Sequence, residues 1–197
     1  DTNDAPTITS THLETVDEDS LYSYTITATD PDGNEQAVYS YDATANPSWL
    51  SFTDNEDGTA TLTGTPDNSH VGSHTVAFSV SDGTATDSAS FTITVANTQD
   101  ASTGSISITG TAYEGTTLTV DTTGVSDDDG VGTFTYQWSD ADGAITGATS
   151  STYTIPACTP TTVCPSIGKV YSVTAVHTDA YGFVESLSLS DGPTSAV

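Results

Sequence analysis

The 197-residue sequence almost lacks basic residues. Lys169 is its one lysine and arginine is absent, whereas aspartate and glutamate number 27, so the formal net charge is −26 at pH 7. A charge of this sign repels nucleic acid and anionic membrane surfaces, which argues against both as partners. Two carboxylates 4 Å apart repel each other by about 4 kcal/mol near a protein surface. Since the chain cannot neutralise its own acids, the composition indicates either adaptation to salt or neutralisation by divalent cations.

Long apolar segments are also missing. No run approaches the length of a membrane span, and no basic segment followed by an apolar one resembles a leader. We therefore interpret the sequence as an interior or mature segment of a longer protein. Cysteine is limited to Cys158 and Cys164. No second Cys or His pair follows them, so a local disulfide in an oxidising compartment is favoured over a zinc knuckle and over free thiols.

Motifs for catalysis are absent as well. The sequence contains no Gly-x-Ser-x-Gly elbow and no glycine-rich phosphate loop. No carboxylate pair is isolated enough from its neighbours to suggest glycosidase chemistry. The sequence therefore predicts a protein that is not an enzyme. The histidines are interpreted as surface or strand residues; they are His12, His70, His74 and His177.

Short alternating runs dominate what remains. Residues 21–28 place Tyr22, Tyr24 and Ile26 on one face and Leu21 on the other, which is typical of a half-buried strand. Asp-Gly pairs mark turns between such runs. No helical period is sustained, so we predict an all-β chain of two tandem immunoglobulin/cadherin-like antiparallel β-sandwich domains, at residues 1–99 and 100–197. The predicted strands cover residues 7–10, 21–28, 38–41, 49–52, 60–64, 74–80, 90–95, 105–109, 116–120, 134–138, 152–155, 170–177 and 183–189.

Three aromatic residues are candidate sugar-binding platforms. Trp49 and Trp138 lie in strand patterns with apolar partners, so core packing is the favoured interpretation of both. Tyr181 lies in a turn and is the better exposed aromatic residue.

Acidic residues recur at the turns of both halves. Because successive strands run in opposite directions, the turn with Asp30 and Asp32 and the turn with Asp82 should meet at one end of the first domain, beside Asp4. Glu18 should fall at the opposite end, with Asp67 as a possible companion. The second half repeats these spacings, which favours a metal role over plain solvated turns. The predicted metal ligands are Asn3, Asp4, Glu18, Asp30, Asp32, Asp82, Asp100, Glu114, Asp127, Asp129 and Asp179.

Calcium is the cation that this set of residues would suit. Calcium takes six to eight oxygen ligands, and a D-x-D turn joined by aspartates from other segments supplies them. An EF-hand is excluded, because loop position twelve is never glutamate when each candidate first aspartate is counted as position one. The acids at residues 54–57 and 140–142 are interpreted as hairpin tips rather than ligands.

Motifs of the first half resemble a known family over residues 3–97. They are Asn3-Asp4-Ala5-Pro6, Glu18, residues 28–34, residues 47–52, Gly64-Thr65-Pro66 and Ser81-Asp82-Gly83. Together these are similar to the dystroglycan-type cadherin-like repeats of bacterial surface proteins. The resemblance implies calcium at the domain ends, with Asp30, Asp32 and Asp82 joined by the preceding Asn3 and Asp4. It also implies that Glu18 is a calcium ligand at the junction with the following domain.

The second half resembles another repeat over residues 103–197. Tyr136-Gln137-Trp138 and Gly147-Ala148-Thr149-Ser150 are similar to segments of the immunoglobulin-like repeats of long RTX-type adhesins. The two resemblances imply a calcium-stiffened extender segment of a large secreted bacterial adhesin, whose partners are the neighbouring domains of the same chain. The alternative is a calcium-dependent module that binds a cell-surface glycan or a peptide.

Overall fold

The computed structural model describes residues 2–32, 38–41, 46–157 and 168–189, with only the backbone described for residues 38–41. Cys158 and Cys164, and the disulfide predicted between them, lie outside the described residues. The chain divides into two compact units, Asp1–Thr98 and Gln99–Val197, whereas the boundary predicted from the sequence follows residue 99. Across the described ranges, no helix is long and apolar enough to cross a membrane.

Unit 1 is a β-sandwich of two four-stranded sheets, with strand orders β1-β3-β6-β5 and β2-β8-β7-β4, and every strand pair except β2 with β8 is antiparallel. A single 3-10 turn at Asn68–His70 lies between β6 and β7. The predicted all-β sandwich is thus confirmed for this half. The strands are β1 (Thr7–Ile8), β2 (Thr15–Asp17), β3 (Tyr22–Thr29), β4 (Val38–Tyr41), β5 (Ser51–Asp54), β6 (Thr59–Gly64), β7 (Gly72–Ser81) and β8 (Thr86–Ala96).

The core of unit 1 lies between the two sheets. On β3 the alternation has the predicted phase, because Tyr22, Tyr24 and Ile26 are buried whereas Leu21 is 71% exposed. Full burial of one such side chain stabilises the fold by about 1.5–3 kcal/mol. The same period of two continues on the neighbouring strand β6 and on β7 and β8 of the other sheet, with Ala60, Leu62, Val76, Phe78, Val80, Phe91, Ile93 and Val95.

The short strand β2 was not predicted. It pairs in parallel with β8, and the register aligns Thr15 with Thr94 and Asp17 with Ala96. The chain therefore begins in one sheet with β1, which pairs with β3, and moves to the other sheet with β2.

Unit 2 is a second antiparallel β-sandwich. Its sheets have the orders β14-β13-β16-β17 and β10-β11-β15, and a two-stranded ribbon joins β12 to β9. The strands are β9 (Thr103–Gly104), β10 (Ser107–Thr109), β11 (Thr117–Asp121), β12 (Val125–Ser126), β13 (Phe134–Asp140), β14 (Gly143–Ala144), β15 (Thr152–Thr154), β16 (Ser172–Thr178) and β17 (Val184–Leu189).

Both tryptophans are core residues, as predicted. Trp138 is fully buried, and its indole Nε1 donates a hydrogen bond of 2.9 Å to the Ser150 carbonyl. Trp49 is buried in unit 1, but its predicted place in a strand is wrong, because β5 begins at Ser51. The Trp49 carbonyl oxygen lies only 2.0 Å from where a Cβ on Gly64 would stand. Position 64, at the end of β6, therefore needs glycine so that the turn before β5 can pack against it.

Candidate metal centre

At one end of unit 1, the N-terminal segment is tied to a D-x-D turn. The N–H of Asp32 donates to Asp30 Oδ1 at 2.9 Å, which closes the turn that follows β3. The N–H of Asp4 then donates to Asp32 Oδ2 at 2.7 Å. The predicted convergence of this turn with Asp4 is therefore present.

Asp82 joins the same end from the turn between β7 and β8. Its Oδ1 accepts hydrogen bonds from the N–H groups of Thr84 and Ala85 at 2.6 and 2.7 Å, and its Oδ2 accepts one from Asn3 Nδ2 at 2.9 Å. The Ala85 N–H, followed by the Asn3 amide and the Thr84 N–H, holds the pKa of Asp82 below its usual value. Asp82 is thus a carboxylate at neutral pH.

Unit 2 repeats this hydrogen-bond scheme with different residues. The Asp129 N–H donates to Asp127 Oδ1 at 2.9 Å, and the Asp100 N–H donates to Asp129 Oδ2 at 2.8 Å. Asp179, in the turn between β16 and β17, accepts the N–H groups of Tyr181 and Phe183 on Oδ1. One arrangement therefore recurs in both units. It consists of an aspartate in the segment that leads into the unit (the joint aspartate), a D-x-D turn, and an aspartate in the turn of a β-hairpin (the hairpin aspartate).

Gln99 is the member of this arrangement that sequence reasoning missed. Its Nε2 donates to the Asp100 carbonyl, just as Asn3 Nδ2 donates to the Asp4 carbonyl at 2.9 Å. A signal was available in the sequence, since Gln99 precedes the joint aspartate in the same way that Asn3 does.

Buried oxygen atoms without hydrogen-bond partners lie within both arrangements. They are Asp30 Oδ2 in unit 1, and Asp179 Oδ2 and Gln99 Oε1 in unit 2. A buried polar atom that finds no partner costs about 1–3 kcal/mol, and more if it is charged. These oxygens fit a hard cation, which takes carboxylate and amide oxygens as ligands. Because Asp129 and Asp179 are both buried, unit 2 offers the more enclosed of the two places.

Asp179 keeps its charge despite its burial. Burial acts to raise its pKa, but the N–H groups of Phe183, Tyr181 and Gly182 outweigh burial and hold the pKa below the usual value. The D-x-D turn lies directly against this residue's turn, because the Ala180 N–H donates to the Asp129 carbonyl at 3.3 Å.

The lone lysine is engaged elsewhere in unit 2. Lys169 Nζ lies 2.7 Å from Asp140 Oδ2 and 2.6 Å from Asp142 Oδ2, at the hairpin of β13 and β14. Hydrogen bonds that Lys169 donates to these carboxylates raise its pKa, so it stays a cation. Charge at the Asp129 and Asp179 end must therefore be balanced by something other than lysine or arginine.

Glu18 and Glu114 are the two glutamates among the predicted ligands. Glu18 is buried in unit 1, where its Oε1 accepts the Thr98 N–H at 2.6 Å. Its role is to hold the segment that leaves β8. Glu114 lies in the turn before β11, whereas Asp127 lies beyond the other end of that strand. Metal binding by either glutamate stays a prediction.

Asp67 lies near the end of unit 1 that holds Glu18, because the Asp19 N–H donates to the Pro66 carbonyl at 2.8 Å. A shared metal role for Asp67 and Glu18 stays a prediction. Asp67 Oδ1 accepts the Ser69 N–H at 2.9 Å and lies 2.7 Å from His70 Nδ1, so the side chain caps the 3-10 turn. The hydrogen bond from the Ser69 hydroxyl is the main cause that holds the pKa of Asp67 below its usual value.

Asp127 has a second set of contacts that the sequence did not reveal. Its Oδ2 accepts a hydrogen bond from the Ser102 hydroxyl at 3.1 Å and lies 3.8 Å from His177 Nε2. The same nitrogen lies 3.4 Å from Glu185 Oε2. His177 was correctly placed in a strand, but neither it nor Glu185 was expected in a polar cluster.

Comparison with known proteins bears on the fold. Residues 5–96 match the family described as "Putative Ig domain" (He_PIG). Unit 1 therefore has an immunoglobulin-like β-sandwich fold. No curated protein matches the chain. The finer resemblances, to dystroglycan-type cadherin repeats and to RTX-adhesin repeats, stay predictions.

Solved structures of low similarity also match. The titin domains z1z2 in complex with telethonin are 15% identical, with all of both chains covered and a TM-score of 0.43. The Ig1-2 module of the Drosophila receptor protein tyrosine phosphatase DLAR is 15% identical, with 98% of each chain covered and a TM-score of 0.36. An endo-fucoidan hydrolase of glycoside hydrolase family 107 is 17% identical at a TM-score of 0.41; the match covers 97% of this chain, which spans 29% of the hydrolase.

Proposed function

We propose that this chain is a calcium-stiffened extender segment of a large secreted or surface-bound bacterial adhesin. One observation carries the proposal: both units build the same arrangement of a joint aspartate, a D-x-D turn and a hairpin aspartate. In each unit a buried carboxylate oxygen of that arrangement lacks a hydrogen-bond partner, namely Asp30 Oδ2 and Asp179 Oδ2. Chance clustering of solvated acids does not account for such repetition.

In unit 2 the ligands of the cation would be Asp100, Asp129 and Asp179, with the Gln99 amide oxygen beside them. The ion would supply the positive charge that the chain does not contain. The ligand-bearing segment at residues 99–100 would then be fastened to the body of unit 2. On the other side of the linker, Thr98 is fastened to unit 1 through Glu18. A linker held at both ends bends less, which is the mechanical role that we assign to calcium.

Solution scattering tests this role. We expect the full chain in excess calcium to give a narrow range of conformations, and addition of a chelator to broaden that range, because the acids then repel one another. Magnesium at equal concentration is the control, since it demands stricter octahedral geometry and keeps its waters. Superimposable scattering curves with and without chelator would show that calcium does not stiffen the chain.

A calcium-dependent ligand-binding module is the second candidate, and the exposure of Tyr181 favours it. This ring is 48% exposed and lies in the turn that Asp179 holds. An exposed aromatic ring beside a bound cation is a suitable platform for a sugar. Under this alternative, a glycan array should show binding in calcium that Tyr181→Ala abolishes, while the equally exposed Tyr113→Ala control retains it. An array that shows no binding in calcium would eliminate this alternative.

A further inference from the structure

We propose that Asp127, His177 and Glu185, with the Ser102 hydroxyl, form a second metal site in unit 2 that takes Zn²⁺ or a similar borderline transition-metal ion. The proposal does not rest on calcium binding, because its defining ligand is an imidazole nitrogen.

The strand pairing brings the four residues together. His177 on β16 lies directly opposite Glu185 on β17. Ser102 precedes β9 and Asp127 follows β12, and these two strands pair with each other. Three separate parts of the chain therefore supply the site, and each residue lies on or next to a paired strand. Such placement fixes the ligands before any metal arrives.

The distances between ligand atoms suit a tetrahedral ion. With bonds of about 2.0–2.2 Å, two ligands on tetrahedral Zn²⁺ are separated by about 3.3–3.6 Å. His177 Nε2 lies 3.4 Å from Glu185 Oε2 and 3.8 Å from Asp127 Oδ2. All three ligand atoms lie within 4.8 Å of one another. Ser102 Oγ lies 2.6 Å from His177 Nε2 and also contacts Glu185 Oε2. Both contacts are closer than those between two ligands of one tetrahedral ion, so the hydroxyl would have to rotate to serve as the fourth ligand.

Burial and charge favour a cation here. The side chains of Asp127 and His177 are fully buried, and that of Glu185 is 21% exposed. Ser102 donates both its hydroxyl and its N–H to the Glu185 carboxylate. Two carboxylates at a single imidazole leave net negative charge in a low-dielectric place, where an unbalanced charge is costly. A divalent ion balances it.

The ligand types select the metal. Calcium prefers oxygen alone, whereas zinc accepts a mixed set of imidazole and carboxylate ligands. The exposed edge of Glu185 provides a route of entry. His177 Nδ1 is buried and has no hydrogen-bond partner among the described residues. Because an outer partner of a ligating histidine strengthens binding by about 10–100-fold, we expect an affinity lower by that factor than that of a fully supported zinc site.

Calorimetric titration with ZnCl₂ tests the site. The full chain with Cys158→Ser and Cys164→Ser is used, so that thiols do not bind zinc, and the buffer holds saturating calcium to fill oxygen-only sites. We expect one zinc ion per chain. Glu185→Gln should weaken binding at least tenfold, and His177→Gln should abolish it. His12→Gln, which removes a histidine from unit 1, is the matched control and should leave zinc binding unchanged.

A cobalt titration provides an independent readout. Co²⁺ bound by nitrogen and oxygen in a tetrahedral site absorbs visible light, and this absorption should be present in the parent chain and absent from Glu185→Gln. Because His177 is buried, its variant risks misfolding, so Glu185→Gln decides the outcome once its fluorescence spectrum shows that it is folded. Parent-like zinc affinity and cobalt absorption in folded Glu185→Gln would overturn the proposal, as would the absence of zinc binding to the parent chain.

Discussion

Asp179→Asn is expected to remove most of the rise in melting temperature that calcium gives to unit 2. An ion present at 100–1,000 times its Kd stabilises the folded state that binds it by about 2.7–4.1 kcal/mol. In a domain of about 100 residues, each kcal/mol shifts the midpoint by about 4–8 °C, so chelation should lower it by about 10–30 °C. The variant retains an Oδ1 that accepts the N–H groups of Tyr181 and Phe183, and loses only the charged Oδ2.

Asp128→Asn is the matched control for this experiment. Asp128 is exposed in the middle of the D-x-D turn, so its substitution makes the same change in net charge at the same place in the fold. We expect this variant to keep the full calcium-dependent shift. Each unit contains one tryptophan, so fluorescence of Trp138 in a Trp49→Phe background follows unit 2 alone. Equal calcium-dependent shifts in the two aspartate variants would rule out Asp179 as a ligand.

Gly132→Ala should destabilise unit 2 by at least 1–3 kcal/mol and reduce its calcium response at the same time. A Cβ at this position would stand about 1.7 Å from the Thr178 carbonyl oxygen, and a backbone atom has little freedom to give way. Overpacking of this kind forces the backbone to move, at a cost of about 1–3 kcal/mol or more. Since Thr178 directly precedes Asp179, the shift would displace a predicted ligand.

Val131→Ala, one residue earlier in the same loop, gives the comparison. Val131 is exposed, so shortening its side chain should change stability by no more than about 0.5 kcal/mol. Thermal unfolding with and without calcium measures both effects. If Gly132→Ala and Val131→Ala unfolded at the same temperature, the close approach of the loop to β16 would not exist in solution.

The strands of this chain were predictable where alternation is long and local. Tyr22, Tyr24 and Ile26 occupy the buried face of β3 as their spacing required. The short strands β2, β9, β12 and β14 were not predicted, because a run of two or three residues carries no period. β2 is an example, since it is defined by pairing with β8, nearly eighty positions away in the sequence.

The acidic arrangement was predictable for a different reason. It depends on turns, and the direction of successive strands decides which turns share an end, so Asp4, Asp32 and Asp82 could be grouped in advance. The polar cluster around His177 could not be found that way. His177 and Glu185 face each other across β16 and β17, but Ser102 reaches them from 75 positions earlier. Nothing in the sequence marks Ser102 as different from the other serines of the chain.

The parallel pairing of β2 with β8 has a consequence for a chain that carries tension. A pull on the two ends of unit 1 loads β2 and β8 in opposite directions along their length. The ladder bonds between Thr15–Asp17 and Thr94–Ala96 lie across that direction and share the load, rather than opening one after another as in a peeled hairpin. Glu18 adds one more bond between the same two parts of the chain, because its carboxylate accepts a hydrogen bond from the Thr98 N–H. In such a chain, unit 1 would resist tension by shear at its exit strand.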